Sequence, residues 1–282
     1  MYRILILGGG YLGSAMGGFF ADKKQKVWAV VRTERRVAEL EARGIRPILA
    51  DLTRPETLTQ LPPAQFVMIS VAPHIRDEGQ YRKVYYEGVK NYLATLDNQI
   101  RPVLIVYVSS IGVWEQDDGS WVDEPVPAAP LTARAQILLD TENLVLGSGY
   151  PAAVLRLAGI YGPGRNRLEA LRQGAWPQPC KDRYINLIHR DDIVQAMPLF
   201  LKKAEAGRTY VGTDDEPVLY SELYRWLAAK TGSAYDDARI LRQETPGGKR
   251  CRNTKLKSLG IALKYPTFRE GYNALLEKVE SR

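Results

Sequence analysis

The chain has 282 residues, of which 45% are hydrophobic and 25% charged, with a formal net charge of +7. This composition is typical of a globular protein with one large domain, or with a domain and a smaller lobe. No stretch approaches the roughly 20 apolar residues of a membrane span, and the N-terminus is predicted to be a strand rather than a signal peptide.

Cysteine and histidine are too few to form a disulfide framework or a metal site. They occur only as Cys180, Cys251, His74 and His189, without the spacing of zinc ligands. We expect no metal site and no disulfide, and a cytoplasmic location is the default.

The first predicted element is an apolar strand over residues 2–7, which runs directly into a glycine turn. In the pattern of a dinucleotide site, Gly8 permits the tight turn, Gly10 lets the backbone approach a pyrophosphate, and Gly13 lets the following helix lie close to the strand. The helix then directs its first amides, at Tyr11 and Leu12, towards the phosphates. The turn therefore predicts a bound dinucleotide.

Strands and helices alternate regularly up to residue 157. Strands are predicted at 26–31, 45–50, 66–71, 103–109 and 152–157, and helices at 34–43, 55–61, 78–96 and 132–146. This alternation is typical of an α/β fold with a Rossmann-type, doubly wound parallel sheet.

After residue 157, glycine and proline interrupt the pattern. Helices are predicted at 192–203, 221–230 and 268–279, and a strand near 209–211. We therefore predict a nucleotide-binding domain over residues 1–158 and about 191–216. The remaining residues, about 159–190 and 217–282, form a small discontinuous lobe on the substrate side.

The end of the second strand indicates which dinucleotide is bound. An acidic residue there accepts hydrogen bonds from the ribose of NAD, whereas this chain has Arg32 and Thr33, followed by Arg35 and Arg36. Because a guanidinium can bind a 2′-phosphate with two hydrogen bonds, NADP(H) is favoured over NAD(H). The alternative is that Arg32 is an ordinary surface arginine.

Two further strand ends complete the predicted cofactor site. Asp51 and Leu52, after the third strand, are placed beside the adenine, and Val71 and Ala72, after the fourth, beside the ribose and diphosphate. Asp51 could instead only cap the following turn.

Several motifs in order resemble the extended short-chain dehydrogenase/reductase superfamily, the group of nucleotide-sugar epimerases and dehydratases. They are Val108-Ser109-Ser110-Ile111-Gly112-Val113-Trp114, Asp123-Glu124-Pro125, the stretch 155–165, and Ile188-His189-Arg190-Asp191-Asp192-Ile193. The resemblance implies that Ser110 is the catalytic hydroxyl and that Ser109 is among the cofactor-binding residues. It also implies a homodimer through the helices at 78–96 and 132–146.

The family's catalytic pair of a tyrosine and, four residues later, a lysine is missing. Glu142 resembles the family's glutamate four residues beyond the lysine, which places Leu138 at the lysine and Arg134 at the tyrosine. Leucine has no polar group and arginine keeps its proton. The chain therefore resembles an atypical subgroup of the superfamily, and its ending at 252–256 and 265–271 is similar to that subgroup's tail.

Other residues are candidates for the chemistry that remains. Ser110 is the candidate hydrogen-bond donor to a reacting oxygen, Arg134 the candidate stabiliser of negative charge, and Tyr161 a candidate in the crevice. Each has a structural alternative: a capped strand end, a solvated arginine and a buried tyrosine. His189 is a weaker candidate acid, and Trp114 and Trp121 could stack on a substrate ring.

The missing pair leaves two functions open. One is an NADP(H)-binding oxidoreductase or epimerase/dehydratase-like enzyme acting on a small carbonyl or sugar-like substrate. The other is a nonenzymatic NADP(H)-binding redox sensor or regulator. The basic segment 239–264 carries eight cations against Glu244 alone, and is either a solvated loop or a surface for an anionic partner. Nucleic acid is disfavoured, because no nucleic-acid motif accompanies it.

Overall fold

The computed structural model describes residues 1–73, 77–96, 100–175, 180–236, 240–241 and 244–280. The strands are, in chain order, β1 (Arg3–Leu7), β2 (Lys26–Val31), β3 (Arg46–Leu49), β4 (Phe66–Ile69), β5 (Leu104–Ser110), β6 (Trp121–Val122), β7 (Ala152–Leu157), β8 (Gly159–Tyr161), β9 (Cys180–Lys181), β10 (Arg183–Ile185), β11 (Leu187–His189), β12 (Arg208–Gly212), β13 (Val218–Leu219), β14 (Ile240–Leu241), β15 (Gly247–Gly248) and β16 (Arg250–Cys251). His74, Arg239 and Arg242, which entered the sequence analysis, lie outside the described residues.

The helices connect most of these strands. They are α1 (Tyr11–Asp22), α2 (Arg35–Glu41), α3 (Glu78–Tyr81), α4 (Gly88–Thr95), α5 (Ala133–Leu146), α6 (Leu168–Arg172), α7 (Arg190–Lys203), α8 (Tyr220–Thr231), α9 (Thr254–Ser258) and α10 (Phe268–Glu280), with 3-10 turns at Pro55–Gln60 and Ile111–Val113. No helix in the described ranges is both long and apolar enough to span a membrane.

Seven strands form one parallel sheet in the order β12-β7-β5-β4-β1-β2-β3. The chain winds outwards from β1 in one direction to β3, then returns to β4 on the other side of β1. This reversal confirms the predicted Rossmann-type doubly wound fold. Ligands of such sheets bind at the carboxyl ends of the strands where the order reverses, so the ends of β1 and β4 define the crevice described below.

Apolar residues on both faces of the strands bury the sheet between two layers of helices. In β1, Ile4 and Ile6 contribute to one core, which also contains residues of α1 and α7. Leu5 and Leu7 contribute to the other core, beside α4 and α5. Side chains alternate between the faces of a strand, so an uninterrupted apolar run is what a strand covered on both faces requires.

The long helix predicted over residues 78–96 is interrupted. It consists of α3, a π-helical turn at Arg82–Glu87, and α4. Periodicity predicts that a stretch is helical, but it does not detect one extra residue per turn. Of the tyrosines on this stretch, Tyr92 is only 2% exposed and belongs to the sheet core. The rings of Tyr81 and Tyr85 are in contact, tilted at 49° with centroids 5.2 Å apart.

A third hydrophobic cluster lies beyond β7 and brings together residues of α6, α8 and α10. It is not a separate stretch of chain, because β12 and α7 return to the main sheet. β12 pairs with β7 from Arg208↔Ala153 to Gly212↔Leu157, and α7 packs beside α1.

Candidate functional site

The glycine turn between β1 and α1 has the geometry that its sequence predicts. Gly8 has a φ of +104°, a conformation that side-chain-bearing residues rarely adopt. A Cβ atom on Gly13 would lie 2.0 Å from the carbonyl oxygen of Gly8, so only glycine lets α1 approach β1 this closely. A Cβ atom on Gly10 would have no neighbour within 4 Å. The backbone at Gly10 therefore faces open space.

Hydrogen bonds hold this turn to the neighbouring strands. The Gly9 amide donates to the Val30 carbonyl at 2.8 Å, and the Ser70 hydroxyl donates to the Gly8 carbonyl at 3.1 Å. No side chain caps the N-terminus of α1, which begins at Tyr11 after Gly10. Its first amides remain available to an anion, and the dipole of the helix favours negative charge there.

The arginines after β2 have different environments. The Arg36 guanidinium donates to the Gly9 carbonyl at 2.8 Å and pairs with Glu39 at 2.7 Å, so it fastens α2 to the glycine turn. Arg32, Thr33 and Arg35 are exposed. Within the described ranges, Arg32 makes no hydrogen bond or ion pair, so its guanidinium is free at the edge of the crevice.

Asp51, the polar residue after β3, forms hydrogen bonds within the turn that follows it. Asp51 accepts hydrogen bonds from both the amide and the hydroxyl of Thr53 at 2.9 Å, as the capping alternative requires. Leu52 is buried, and its carbonyl accepts from Asn91 at 2.9 Å. After β4, Val71 is half-buried and Ala72 exposed, which leaves the backbone there accessible from the crevice.

The two serines at the end of β5 point to opposite faces of the sheet. The prediction that Ser109 contacts the cofactor is corrected for its side chain, because its buried hydroxyl donates to Glu142 at 2.5 Å. Ser110 is half-buried, and its oxygen accepts from the Gly112 amide at 3.0 Å. Ser110 therefore caps the end of the strand, as its structural alternative predicts. A hydroxyl that accepts one hydrogen bond still has its proton to donate, so Ser110 can also donate to a ligand.

Glu142 also pairs with a buried arginine that the sequence analysis did not single out. Arg156, on β7, approaches its carboxylate to 2.7 Å and lies over the Trp114 ring at 4.5 Å. Trp114 is 1% exposed and donates to the Val126 carbonyl, so it is a core residue and not a substrate platform. The only sequence signal for this pair was an arginine inside an apolar strand.

Tyr161 belongs to the core of the lobe, which corrects its placement among the catalytic candidates. It is 2% exposed and stacks on Tyr272 with centroids 4.8 Å apart. A Cβ atom on Gly271 would lie 1.9 Å from its hydroxyl oxygen. Burial raises the pKa of Tyr161 far above the ordinary value, so its phenol cannot exchange a proton with the crevice near neutral pH.

His189 also has a structural role. It is 1% exposed, its Nδ1 accepts from the Asp191 amide at 3.1 Å at the start of α7, and its ring packs on Tyr265 at 4.3 Å. Beside it, the Asp192 carboxylate accepts from the Lys264 amide at 2.6 Å. Burial raises the pKa of Asp192 to about 6.

Most described cations of the basic segment 239–264 bond to the protein itself. Their partners are the Trp114 carbonyl for Lys249, the Gly119 carbonyl for Arg250, the Thr209 carbonyl for Lys255 and Asp215 for Lys257. Arg250 and Arg252 also lie over the half-exposed Trp121 ring, each at 4.9 Å. These bonds fasten the segment to the loop after β5, to β12 and to the loop that follows β12.

Comparison with known proteins agrees with this geometry. A family model, the TrkA-N domain, matches residues 4–78, from β1 to α3. A structure from Methylobacillus flagellatus, assigned as an NAD-dependent epimerase/dehydratase, is 30% identical and covers 99% of both chains with a TM-score of 0.82. The chain belongs to the NAD-dependent epimerase/dehydratase group of extended short-chain dehydrogenase/reductases.

Two curated relatives are more distant. Protein YeeZ of Escherichia coli K12 is 26% identical over 220 residues, which are 74% of this chain and 77% of that protein. The 4-hydroxy-2-methyl-3-oxo-4-farnesyl-3,4-dihydroquinoline-1-oxide ketoreductase of Stigmatella aurantiaca is 26% identical over 234 residues, 77% of this chain and 69% of that protein.

In this chain, the two positions where the resemblance places the Tyr/Lys pair are occupied by Arg134 and Leu138. Leu138 is 9% exposed and packs in an apolar cluster with Val113 and Val122. Arg134 is exposed, and its guanidinium lies over the Tyr81 ring at 5.5 Å. A lysine at position 138 would lose its hydration among these apolar side chains, so the packing around α5 suits leucine.

Proposed function

We propose that the protein binds NADP(H) at the glycine turn and is an oxidoreductase, or an epimerase/dehydratase-like enzyme, acting on a small carbonyl or sugar-like substrate. One observation carries the proposal. The turn brings Gly8 and Gly13 into contact while the backbone at Gly10 faces open space at the sheet's reversal point. A dinucleotide pyrophosphate needs such a cradle beside a helix N-terminus.

Arg32 supports NADP(H) rather than NAD(H). Its guanidinium is exposed at the end of β2, where the ribose 2′-position of a bound dinucleotide lies in Rossmann folds. Thr33 adds a hydroxyl next to it. Arg36 is held by Gly9 and Glu39, so its role is to keep this corner in place.

Few residues are candidates to take part in the reaction beside the nicotinamide. When bound, the nicotinamide supplies or accepts a hydride. Ser110 has a proton to donate to a substrate oxygen, and Arg134 adds a positive charge at the start of α5, which follows β5 in the sequence. The residues at 159–190 and 217–282 form the substrate side. The names of the relatives, an NAD-dependent epimerase/dehydratase and a ketoreductase, support this reaction class.

The cofactor preference is tested by titrating the protein with NADPH and NADH while following nicotinamide fluorescence. Arg32→Gln is expected to weaken NADPH binding by about tenfold or more and to leave NADH binding nearly unchanged, because only NADPH carries the 2′-phosphate. Arg43→Gln, an exposed arginine just after α2, is the control. Equal losses for both nucleotides, or no loss, contradict the role of Arg32.

Catalysis is tested by following NADPH absorbance with a library of small carbonyl and sugar-like compounds. The proposal expects a decrease with some of them, reduced in Ser110→Ala. Tight NADPH binding without any turnover across the library would contradict enzymatic activity and favour the redox sensor.

A further inference from the structure

Lys249 lies at the carboxyl ends of two neighbouring strands of the main sheet. Its Nζ donates to the carbonyl of Trp114, which follows the 3-10 turn at the end of β5. Its own carbonyl accepts from the Asn186 side chain at 2.9 Å, and the Asn186 carbonyl accepts from the amide of Gly159, just after β7, at 3.0 Å. In the sheet, β5 lies between β7 and β4. Lys249 is therefore placed beside the crevice, at the ends of the strands where ligands of such sheets bind.

The backbone on either side of Lys249 is held in place. The Gly248 amide donates to the Asp117 carboxylate, and the Cys251 amide donates to the Asn186 side chain at 2.7 Å. Gly248 has a φ of +76°, and a Cβ atom there would lie 2.2 Å from the Tyr184 carbonyl oxygen. Glycine thus lets this segment lie close against β10. A fixed backbone gives the Lys249 side chain a defined origin, as a group that must meet a reacting atom requires.

The Lys249 ammonium has protons left to donate. An ammonium carries three N–H donors, and one of them bonds to the Trp114 carbonyl. Among the described residues, no carboxylate forms an ion pair with Lys249, and the residue is half-buried rather than enclosed. A ligand in the crevice can therefore accept one of the remaining protons.

The surroundings of Lys249 favour the release of such a proton. Burial lowers the pKa of Lys249 below that of an ordinary lysine, and the positive charge of Arg183 on β10 lowers it further. Cys251 on β16 and Asp117 in the loop after β5 oppose this shift. A lysine whose pKa is lowered is a stronger acid and a better match to proton transfer near neutral pH.

The candidates described above leave the source of a proton open. Tyr161 and His189 are buried in the core, and Arg134 keeps its proton. Ser110 can hold a substrate oxygen with a hydrogen bond, but a serine hydroxyl does not stay ionised near neutral pH. Of these five side chains, Lys249 is the one that combines a place at the strand ends with a proton it can give up.

We infer that Lys249 is the catalytic acid of the proposed reduction, in place of the missing Tyr/Lys pair. The inference rests on the proposed function. As the substrate's carbonyl carbon receives the hydride of NADPH, Lys249 gives one proton to the carbonyl oxygen, which Ser110 holds. The products are the alcohol, NADP+ and the neutral amine of Lys249, which regains a proton from water. In the reverse direction, the neutral amine accepts the proton of the alcohol.

Lys249→Arg tests this role, because arginine keeps the charge and can bond to the Trp114 carbonyl but cannot release its proton. With the carbonyl compound of the library that oxidises NADPH fastest, we expect kcat to fall by about a hundredfold or more, with NADPH affinity unchanged. Lys203→Arg is the matched control, since the Lys203 Nζ also donates to a backbone carbonyl, that of Leu259 at 2.9 Å. Full turnover in Lys249→Arg overturns the inference.

The pH profile separates an acid from a structural anchor. In the unmodified protein, kcat is expected to fall as the pH rises through the lowered pKa of Lys249, because the ammonium is the active form. The residual turnover of Lys249→Arg is expected to lack this fall, and methylamine to restore part of the turnover of Lys249→Ala. Lys249→Gln, whose amide can still donate to Trp114, serves if Lys249→Arg does not fold. The same pH profile in all folded variants, without rescue by methylamine, contradicts the acid role.

Trace acetylation of the full chain, followed by mass spectrometry, provides a readout without turnover. We expect bound NADPH to slow the acetylation of Lys249, because the ammonium faces the nicotinamide end of the crevice, and to leave that of Lys203 unchanged. Unchanged acetylation of Lys249 at saturating NADPH contradicts its placement.

The two proposals fail in different ways. Absence of NADPH binding, or of turnover across the library, refutes the proposed function and the role of Lys249 with it. NADPH binding and turnover that the folded Lys249→Arg and Lys249→Gln proteins retain in full refute the role of Lys249 alone.

Discussion

Arg156 and Glu142 form a buried ion pair between β7 and α5, with Nη2 2.7 Å from Oε2 and Nε 3.1 Å from each carboxylate oxygen. Their side chains are 8% and 2% exposed. The Ser109 hydroxyl adds a fourth hydrogen bond to the carboxylate. This arrangement holds β5, β7 and α5 together directly beneath the strand end that carries Ser110.

Removing one partner of this pair is expected to be costly. Arg156→Met leaves the Glu142 carboxylate buried without its counter-charge, which lowers the free energy of unfolding by about 3–5 kcal/mol. The double variant with Glu142→Leu is expected to recover part of this loss. Arg208→Met breaks an ion pair with Glu205 whose side chains are 62% and 73% exposed, and is expected to cost less than about 1 kcal/mol. Urea unfolding measures all three, and similar losses for Arg156→Met and Arg208→Met would contradict the buried pair.

Two glycines of α1 provide a matched test of the cradle. The Cβ of Gly13→Ala meets the Gly8 carbonyl oxygen at 2.0 Å, so α1 must move away from β1. We expect a loss of about 1–3 kcal/mol in stability and a marked loss of NADPH affinity. The Cβ of Gly18→Ala has no neighbour closer than 3.7 Å, and this change is expected to raise stability by about 0.5–1 kcal/mol. Thermal unfolding and nucleotide titration distinguish these outcomes, and a Gly13→Ala protein with full affinity would refute the close approach.

The structural role of Tyr161 is tested by Tyr161→Phe. Its hydroxyl is buried and has no hydrogen-bond partner among the described residues, so removing it is expected to keep or raise stability by about 1 kcal/mol and to leave turnover unchanged. Gly271→Ala places a Cβ atom 1.9 Å from the same oxygen and is expected to destabilise. Tyr161→Phe then rescues part of that loss, as a double-mutant cycle measures. A turnover defect in Tyr161→Phe with normal stability would restore its catalytic candidacy.

Asp192 is expected to make stability fall as the pH rises through the acid range. Burial raises the pKa of its carboxyl to about 6 in the folded state, against about 3.9 in an unfolded chain. Between about pH 4 and 6 the folded state therefore binds more protons than the unfolded state, so the free energy of unfolding decreases with pH and levels off above about 6. Urea unfolding of Asp192→Asn is expected to show a flatter profile in this window. An unchanged slope would contradict the shift.

The fold could be predicted because its signals are local. β2 and β7 begin and end at the predicted residues, since apolar runs bounded by polar turns define strands in a buried parallel sheet. The short strands of the lobe, such as β9 and β14, were not predicted. They are two residues long and gain their order from the partners they meet across the chain, which no local pattern encodes.

The parts of the candidate site that depend on backbone conformation could be predicted from the sequence. The hydrogen-bond partners of individual side chains could be predicted less well. Gly8, Gly10 and Gly13 act through their missing Cβ atoms, so their roles follow from spacing alone. Ser109 and Ser110 are adjacent and alike in sequence, yet one bonds to Glu142 and the other caps Gly112.

The edge strand β12 has a consequence for synthesis on the ribosome. β7 is complete at Leu157, but the strand that covers its edge ends at Gly212. The nascent chain must therefore extend more than 50 residues beyond β7 before this sheet edge is closed. Until then the backbone donors and acceptors of Ala152, Val154 and Arg156, which face β12, are open to other chains, a recognised route to aggregation.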